Sequence, residues 1–430
     1  MRKLILLVLV MMMALGVGIA SAQVGDVDPS GQTIVYWHQY NSGGQLDTIN
    51  ALVEEFNNTN EWGITVEAVS QGSYGDIRDL MNAAIISGET PNLVAGFPND
   101  ALSYALDGVV VDINTYLNDE MWGFSEEELA SFNQGILNVG VAEDGTRLQW
   151  TNQVSANVFV VNMTMLNELG FDSPPATLDE FRDVACAAAA LDGVNGYPLK
   201  GDSSEFESFV TSLGGSIFID GEWNFTNEAS LTVLQLYQDL FNEGCLYIPD
   251  SRFGNTDDFA LGINPMAVTS SAGLPFIAAG FEESGVEADW IVTTTPWADD
   301  NRTVQVFTPG ISILVSTPEK QLASWLFIKF LAESESVARW TENTSYFPIN
   351  LDANPLLVDF EANNARFAEA NALLSDPDIN TYAGFQFASY GPVRGIVSEM
   401  IANVTTGGMD VLEAAQAAEE AAAEVRADLD

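Results

Sequence analysis

Residues 33–40, TIVYWHQY, open the stretch of chain that decides the fold class. Thr33–Trp37 is β-branched and aromatic, the composition of a strand. From Gln45 to Asn57 the apolar residues Leu46, Ile49, Leu52, Val53 and Phe56 recur every three or four positions, which predicts a helix. Ile64–Val69 sets Ile, Val and Ala against Thr and Glu, a second strand. Tyr74–Ser87 carries Ile77, Leu80, Met81, Ala84 and Ile85 at helix spacing. The turn formers Glu89-Thr90-Pro91 precede a third strand, Asn92–Gly96. Strand-helix-strand-helix-strand is the grammar of an α/β layer on a parallel sheet, whose ligands sit beyond the carboxyl ends of the strands. Trp37, His38, Gln39 and Tyr40 end the first strand and are therefore candidates for ligand contact. Packing beneath a cleft would also account for Trp37 and His38.

Working outward, a second unit opens near Gln149. Val158–Asn162 reads as a strand, and the turn Gly170–Pro175 leads to a helix through Leu178, Phe181, Val184 and Ala185. A helix over 229–242 and a short strand Met266–Thr269 follow. Ser270-Ser271-Ala272-Gly273 then stands before an apolar Leu-Pro-Phe-Ile run. A helix starting there would offer N–H groups and hydroxyls to a ligand oxygen, or Ser270 and Ser271 would simply cap it. Short extended pieces are expected at Ile291-Val292 and Ile311–Val315. Pro318–Ala332 is a helix with proline at its first turn, and Glu413–Asp428 is an alanine-rich terminal helix.

The chain has 430 residues, enough for two lobes rather than one core. Residues 1–22 have the form of an export signal: Arg2 and Lys3, then an apolar run, then Ala20-Ser21-Ala22 before Gln23. No cysteine lies near that cut, so a lipid anchor is not expected, and the protein should reside in the periplasm or at the outer face of the cytoplasmic membrane. Lys plus Arg is 14 against 61 Asp plus Glu, a net charge of −47. Such a surface repels nucleic acid and anionic lipid; it suits a saline exterior where self-repulsion is screened, or it reflects drift in surface composition within a lineage. Cys186 and Cys245 form an even pair in an exported chain, so a disulfide is expected.

Catalysis finds little support. His38 is the sole histidine, which excludes a multi-histidine metal centre, and neither a Gly-x-Ser-x-Gly elbow nor a phosphate loop is present. A glycosidase pair could hide among the 61 carboxylates, but their number makes any pair uninformative. No cofactor or metal is expected. Aromatic faces, amides and hydroxyls suited to a sugar or polyol are plentiful. Arg394, one of few cations, sits in a Gly391-Pro392-Val393-Arg394 setting. It suits phosphate or carboxylate, or an ion pair with a nearby acid.

Together these features resemble the family-1 extracellular solute-binding proteins of ATP-driven (ABC) importers, and among them the glycerol-3-phosphate and sugar receptors. The resemblance runs from Thr33 to about Val425. It rests on the Trp37-His38 strand and the helix ending Phe56-Asn57. It also rests on Ser155 with Val161-Asn162, the Ser270–Gly273 turn, Pro309-Gly310, Trp340–Ile349 and the Arg394 motif. It implies a two-lobed, type II periplasmic-binding-protein-like α/β fold, each lobe a mostly parallel sheet. The expected lobes are residues 31–147 with 302–345, and 148–301 with 346–430. It implies a monomeric receptor that closes on a small polar solute and delivers it to membrane permease subunits. By position it assigns ligand contact to Tyr74, Ser155, Ser271 or Ser270, Gly310, Tyr346 and Arg394. A glutamate expected near Pro98 or Asn99 and a tryptophan expected near Ser203 are missing. The phosphate end of the glycerol-3-phosphate site is thus better matched than the glycerol end. A sugar or polyol is the first expectation, and a phosphorylated polyol or phosphodiester the alternative.

Overall fold

The computed structural model describes residues 24–298 and 301–430; the expected export segment, 1–22, lies outside them. The first sheet runs in the order Thr65–Ser70, Thr33–His38, Leu93–Gly96, Gly310–Ile313, Trp150–Thr151. Its opening strands pair in parallel, with Thr33 opposite Thr65 and Tyr36 opposite Leu93. The helices between them form where the apolar spacing predicts, over Gly43–Thr59 and Tyr74–Ser87. Ser73 and Asp76 close a reciprocal capping box at the start of the second helix, and Gly88 ends it in the left-handed conformation that glycine adopts without strain. Alternation along the first strand sends Tyr36 and His38 to the face covered by the Pro318–Leu331 helix, while Trp37 packs with Ile77, Met81 and Leu314 on the other.

The second sheet is built around Ser155–Asn162, buried along its whole length. Met266–Ser270 pairs with one edge of it, and Trp290–Thr293 and Thr303–Phe307 pair with it at different registers. Asn380–Ala383 extends the sheet beyond Thr303–Phe307. Here the expectation of mostly parallel sheets is corrected. All three partners of the central strand run antiparallel to it, and Gly310–Ile313 enters the first sheet antiparallel as well. The reason is connection length: these partners return after long helical excursions instead of through single crossover helices, so adjacent periodicity cannot fix their direction. Ala156, Val158 and Val160 face a core shared with the first sheet. Phe159 and Val161 face a second core beneath the helices Leu178–Ala189, Ser203–Ser212, Glu228–Glu243, Tyr390–Val404 and Val411–Leu429.

The chain passes between the sheets at residues 152–154 and returns at Thr308-Pro309. These two segments lie side by side: Phe307 pairs with Ser155 and Gly310 with Thr151. The expected division is therefore adjusted at both places. Trp150-Thr151 belongs to the first sheet although it was expected in the second lobe, and Thr303–Phe307 to the second although it was expected in the first. The apolar runs begin a few residues before strand partners change, which is why composition misplaces the switch. A third passage follows the helix Ser334–Thr344, where Phe347 bridges Val154 and Asn350 bridges Phe132.

Cys186 and Cys245 are joined in a disulfide that ties the Leu178–Ala189 helix to the end of Glu228–Glu243. Glu243 beside them completes a group with metal-like spacing, but its thiols are consumed in the bond and offer no thiolate to a metal. No helix among the described residues is long and apolar enough to cross a membrane. Closing a 59-residue separation constrains the unfolded chain by about 4 kcal/mol in the chain-entropy estimate. Replacing both cysteines with serine is therefore expected to lower the denaturant midpoint by a comparable loss of stability. An unchanged midpoint in equilibrium unfolding would contradict this.

Candidate solute-binding cleft

At the carboxyl end of the first strand, side chains from four segments converge. The Tyr40 hydroxyl donates to Gln153 Oε1 at 2.8 Å, and Gln153 Nε2 donates to the Tyr74 hydroxyl at 3.2 Å. Gln153 comes from the passage between sheets and is 1% exposed, so this chain of bonds runs from the first lobe into the hinge. Tyr40 packs edge-on against Trp340, which stacks on Tyr346 at 5.9 Å. Gln39 lies beside the Tyr40 and Tyr346 hydroxyls, yet both its amide atoms are buried without a hydrogen bond. Tyr36 Oη and His38 Nε2 are left in the same condition. A buried polar atom without a partner costs roughly 1–3 kcal/mol. Burial holds the phenols in their neutral, donating form: Tyr40 is pushed up to about 12, and Tyr74 and Tyr346 rise well above the usual range.

The second lobe presents a charged network. Arg394 donates from Nη2 to Ser204 Oγ at 2.8 Å and from Nη1 to the Tyr390 hydroxyl at 3.1 Å. Tyr390 in turn donates to Glu207 Oε1 at 2.7 Å, and Ser203 Oγ and Gln305 Nε2 also donate to that carboxylate. No carboxylate lies within ion-pair distance of Arg394 among the described residues. Burial alone would lower the Arg394 pKa, but Tyr390, Glu207 and Asp202 beside it outweigh that and hold the guanidinium charged. Burial raises Glu205 to about 7 and pushes Glu207 upward too. Asp202, despite its own burial, is drawn down to about 2 by Lys200 and Arg394. On Ser155–Asn162, Asn157 donates to Ser204 O and Ser208 Oγ, and pleating puts Ser155 on the same face. Phe307, paired with Ser155, meets Phe97 at 6.5 Å, and Phe97 meets Tyr74 at 4.7 Å. The charged network and the tyrosine cluster are thereby joined through the hinge.

Of the residues singled out by sequence, Gln39, Tyr40, Tyr74 and Tyr346 gather at the first-lobe side. Arg394 stands in the second lobe, and Ser155 and Gly310 flank the crossing. A Cβ on Gly310 would lie 2.5 Å from the Trp150 carbonyl, so only glycine fits there. Ser271 Oγ is fully buried and accepts from the Ala156 N–H, while Ser270 caps its own turn by accepting from the Ala272 N–H. Trp37 packs under helix Tyr74–Ser87, away from this cluster. Sequence reading passed over Gln153, Ser204, Glu207 and Tyr390. Tyr390 was discoverable, since it precedes Arg394 by four positions and such pairs share a helix face. The helix Ser203–Ser212 was not, because its serines and glutamates look like a surface while its residues are almost all buried. The acid missing at Pro98 and Asn99 has a neighbour at Asp100, which is 2% exposed and paired with Arg78 at 2.9 Å.

The lobes touch on both sides of this region. Gln45 Nε2 donates to Ala272 O at 3.3 Å, and Gly391 packs against Asn99 and Arg78. Two α/β lobes are thus joined by three chain crossings, with polar clusters on either side of them. A family model described as bacterial extracellular solute-binding protein matches residues 51–368, and the chain belongs to that family, whose members bind solutes and do not transform them. A binding protein of Brucella abortus (strain 2308) is 24% identical over 285 residues, 64% of this chain; the match spans 66% of that relative, just under two thirds of its length. The sn-glycerol-3-phosphate-binding periplasmic protein of Salmonella typhimurium is 21% identical over 395 residues, 87% of this chain and 88% of the relative. Among solved structures, the GacH receptor of Streptomyces glaucescens has a TM-score of 0.79 at 16% identity, covering 93% of this chain and 99% of that one. UgpB from Mycobacterium tuberculosis, solved with glycerophosphocholine, has a TM-score of 0.78 at 19% identity over 92% and 98%. These share the two-lobed fold.

His38 provides a direct probe of the cluster. It is 1% exposed, Nδ1 accepts the Tyr40 N–H at 3.3 Å, and burial lowers its pKa to about 4. In the unfolded chain imidazole protonates near pH 6.5. Between those values the unfolded state binds more protons, so stability is lost as pH falls from 6.5 towards 4. As the sole histidine it gives one imidazole resonance, whose NMR titration midpoint is expected near 4. A midpoint near 6.5 would show that the cluster is open to water.

Proposed function

We propose that the chain is the receptor of an ABC importer and that its solute is a small sugar or polyol, enclosed between the lobes and handed to membrane permease subunits. The observation that carries this reading is the Gln39 amide, buried beside the hydroxyls of Tyr40 and Tyr346. Neutral amides and phenols offer directional bonds to solute hydroxyls, and tyrosine and tryptophan rings offer flat faces to a sugar. In a closed cleft those bonds gain discrimination, because a solute lacking the matching hydroxyl leaves a buried group unpaired. With this reading go lobes of residues 31–151 with 310–345, and 155–307 with 346–430. The solute-contacting set is Gln39, Tyr40, Tyr74, Gln153, Ser155, Tyr346 and Arg394. The receptor acts outside the cytoplasmic membrane as a monomer.

A second reading, a phosphorylated polyol or phosphodiester, is favoured by one feature. Arg394 sits on the neutral hydroxyls of Ser204 and Tyr390, with no carboxylate at ion-pair distance among the described residues. A guanidinium so placed has N–H groups to spare for a phosphate. The solutes of similar proteins span both classes, glycerol 3-phosphate and glycerophosphocholine on one side and ribitol and tagatose on the other.

Calorimetric titration of the ligand-stripped protein against neutral sugars, polyols, glycerol 3-phosphate and its diesters separates the two. A neutral solute should bind tightly and lose roughly ten-fold or more affinity in Gln39→Ala, the cost of one buried hydrogen-bonding group, while Arg394→Ala changes little. Tight binding of a phosphate ester that Arg394→Ala abolishes would establish the second reading. Binding of neither class would overturn both.

A further inference from the structure

Among the described residues, two that are not glycine hold a left-handed backbone, Asp220 at φ 53° and Ser345 at φ 56°. Asp220 has an ordinary reason. With Gly221 it forms the exposed two-residue turn between the paired strands Phe218–Ile219 and Glu222–Trp223, where Asp-Gly is a favoured pair. Ser345 has no such reason. It is 2% exposed and ends the helix Ser334–Thr344. Other helices that end left-handed do so at Gly88, Gly170, Gly244 and Gly285. A side chain crowds its own backbone in that conformation, so the conformation persists only where surrounding contacts enforce it. Here they do. The Ser345 N–H donates to Thr341 O at 2.9 Å. The Thr344 hydroxyl donates to the Trp340 carbonyl and accepts the Tyr346 N–H at 3.4 Å. The Phe347 N–H donates to Val154 O at 2.7 Å, which ties the chain to the outward crossing two residues later.

We infer that Ser345 is a positioning residue for the solute site: its left-handed backbone turns the chain out of the helix within one residue and lays the Tyr346 ring on Trp340. The two rings stack with centroids 5.9 Å apart and planes at 23°. An uninterrupted helix would turn about 600° over those six residues, setting the side chains roughly 120° apart with about 9 Å of rise between them, and no stack could form. Trp340 meets Tyr40 at 4.8 Å, and the Tyr346 hydroxyl lies beside Gln39 and Tyr74, so the turn delivers Tyr346 into the tyrosine cluster. The inference rests on the proposed role of Tyr346 in solute contact and adds the residue that aims it. Ser345 acts through the backbone. A β-branched residue, which shuns positive φ, drives position 345 out of the turn and carries Tyr346 off Trp340. Glycine keeps the turn.

Trp340 supplies a reading that needs no solute. Its indole N–H is buried without a hydrogen-bond partner and its ring is stacked on Tyr346, so its NMR resonance feels the Tyr346 ring current directly. The resonance is identified by its loss in Trp340→Phe, and Tyr346→Leu gives the position it takes when unstacked. Ser345→Val is expected to move it most of the way to that position. Ser345→Gly is expected to leave it in place, with an unfolding midpoint no lower than the parent's. A general loss of stability does not shift a resonance of the folded protein, so the shift reports positioning. A Trp340 resonance unmoved in Ser345→Val, or unmoved in Tyr346→Leu, would overturn the inference. Should Ser345→Val fail to fold, Ser345→Gly decides: a lowered midpoint or a displaced resonance would show that the left-handed backbone is not what places Tyr346. Every arm is read without solute, so failure here leaves the solute assignment to titration.

Discussion

Two short lengths of chain crossing side by side hold the molecule together. The outward passage between Thr151 and Ser155 and the return between Phe307 and Gly310 are hydrogen-bonded neighbours at both ends, one pair in each sheet. This constraint makes each lobe discontinuous and leaves a shared core beneath the crossing, where Trp150, Trp325, Phe124 and Phe132 pack edge and face. It also explains Gly310, whose missing side chain lets the return strand lie against the Trp150 carbonyl and the Gln149 amide. A rotation of one lobe on the other need change only a few backbone angles here, which is how hinge closure is ordinarily absorbed.

The polar clusters take their positions from that crossing. Gln153 lies inside the outward passage and bonds to Tyr40 and Tyr74 of the first lobe. Gln305, two residues before the return, bonds to Glu207, which bonds through Tyr390 to Arg394. Opening the lobes would separate Phe97 from Phe307 and free Gln45 from Ala272 without breaking either internal network. On the proposed reading the lobes carry preorganised halves of a site, and little side-chain ordering remains to be done when they meet.

The first lobe was legible because its strands and helices alternate with clean two- and 3.6-residue periods, and Ser73, Gly88 and Pro91 punctuate them. The second was less so. Ser155–Asn162 is covered on both faces and shows no alternation, its partners come from far along the chain, and the strands Thr303–Phe307 and Asn380–Ala383 carry polar residues that pair only in context. The same physics governs the site. Tyrosines at strand ends and an arginine in a Gly-Pro-Val-Arg setting stand out in a sequence poor in cations. Buried serines and glutamates of Ser203–Ser212 do not, since their burial depends on Asn157, Gln305 and Tyr390, which satisfy them from three other segments. The strong negative charge was equally visible in composition, yet it describes the surface and says nothing of the local balance around Arg394.

The central claim is that these lobes move as bodies about the paired crossing segments and close on a solute. Small-angle X-ray scattering of the mature, solute-stripped protein, before and after saturation with a solute identified by titration, tests it most directly. The account predicts a decrease in radius of gyration on saturation, with a scattering profile that returns to the open form when the solute is dialysed away. Superimposable profiles with and without tightly bound solute would contradict it.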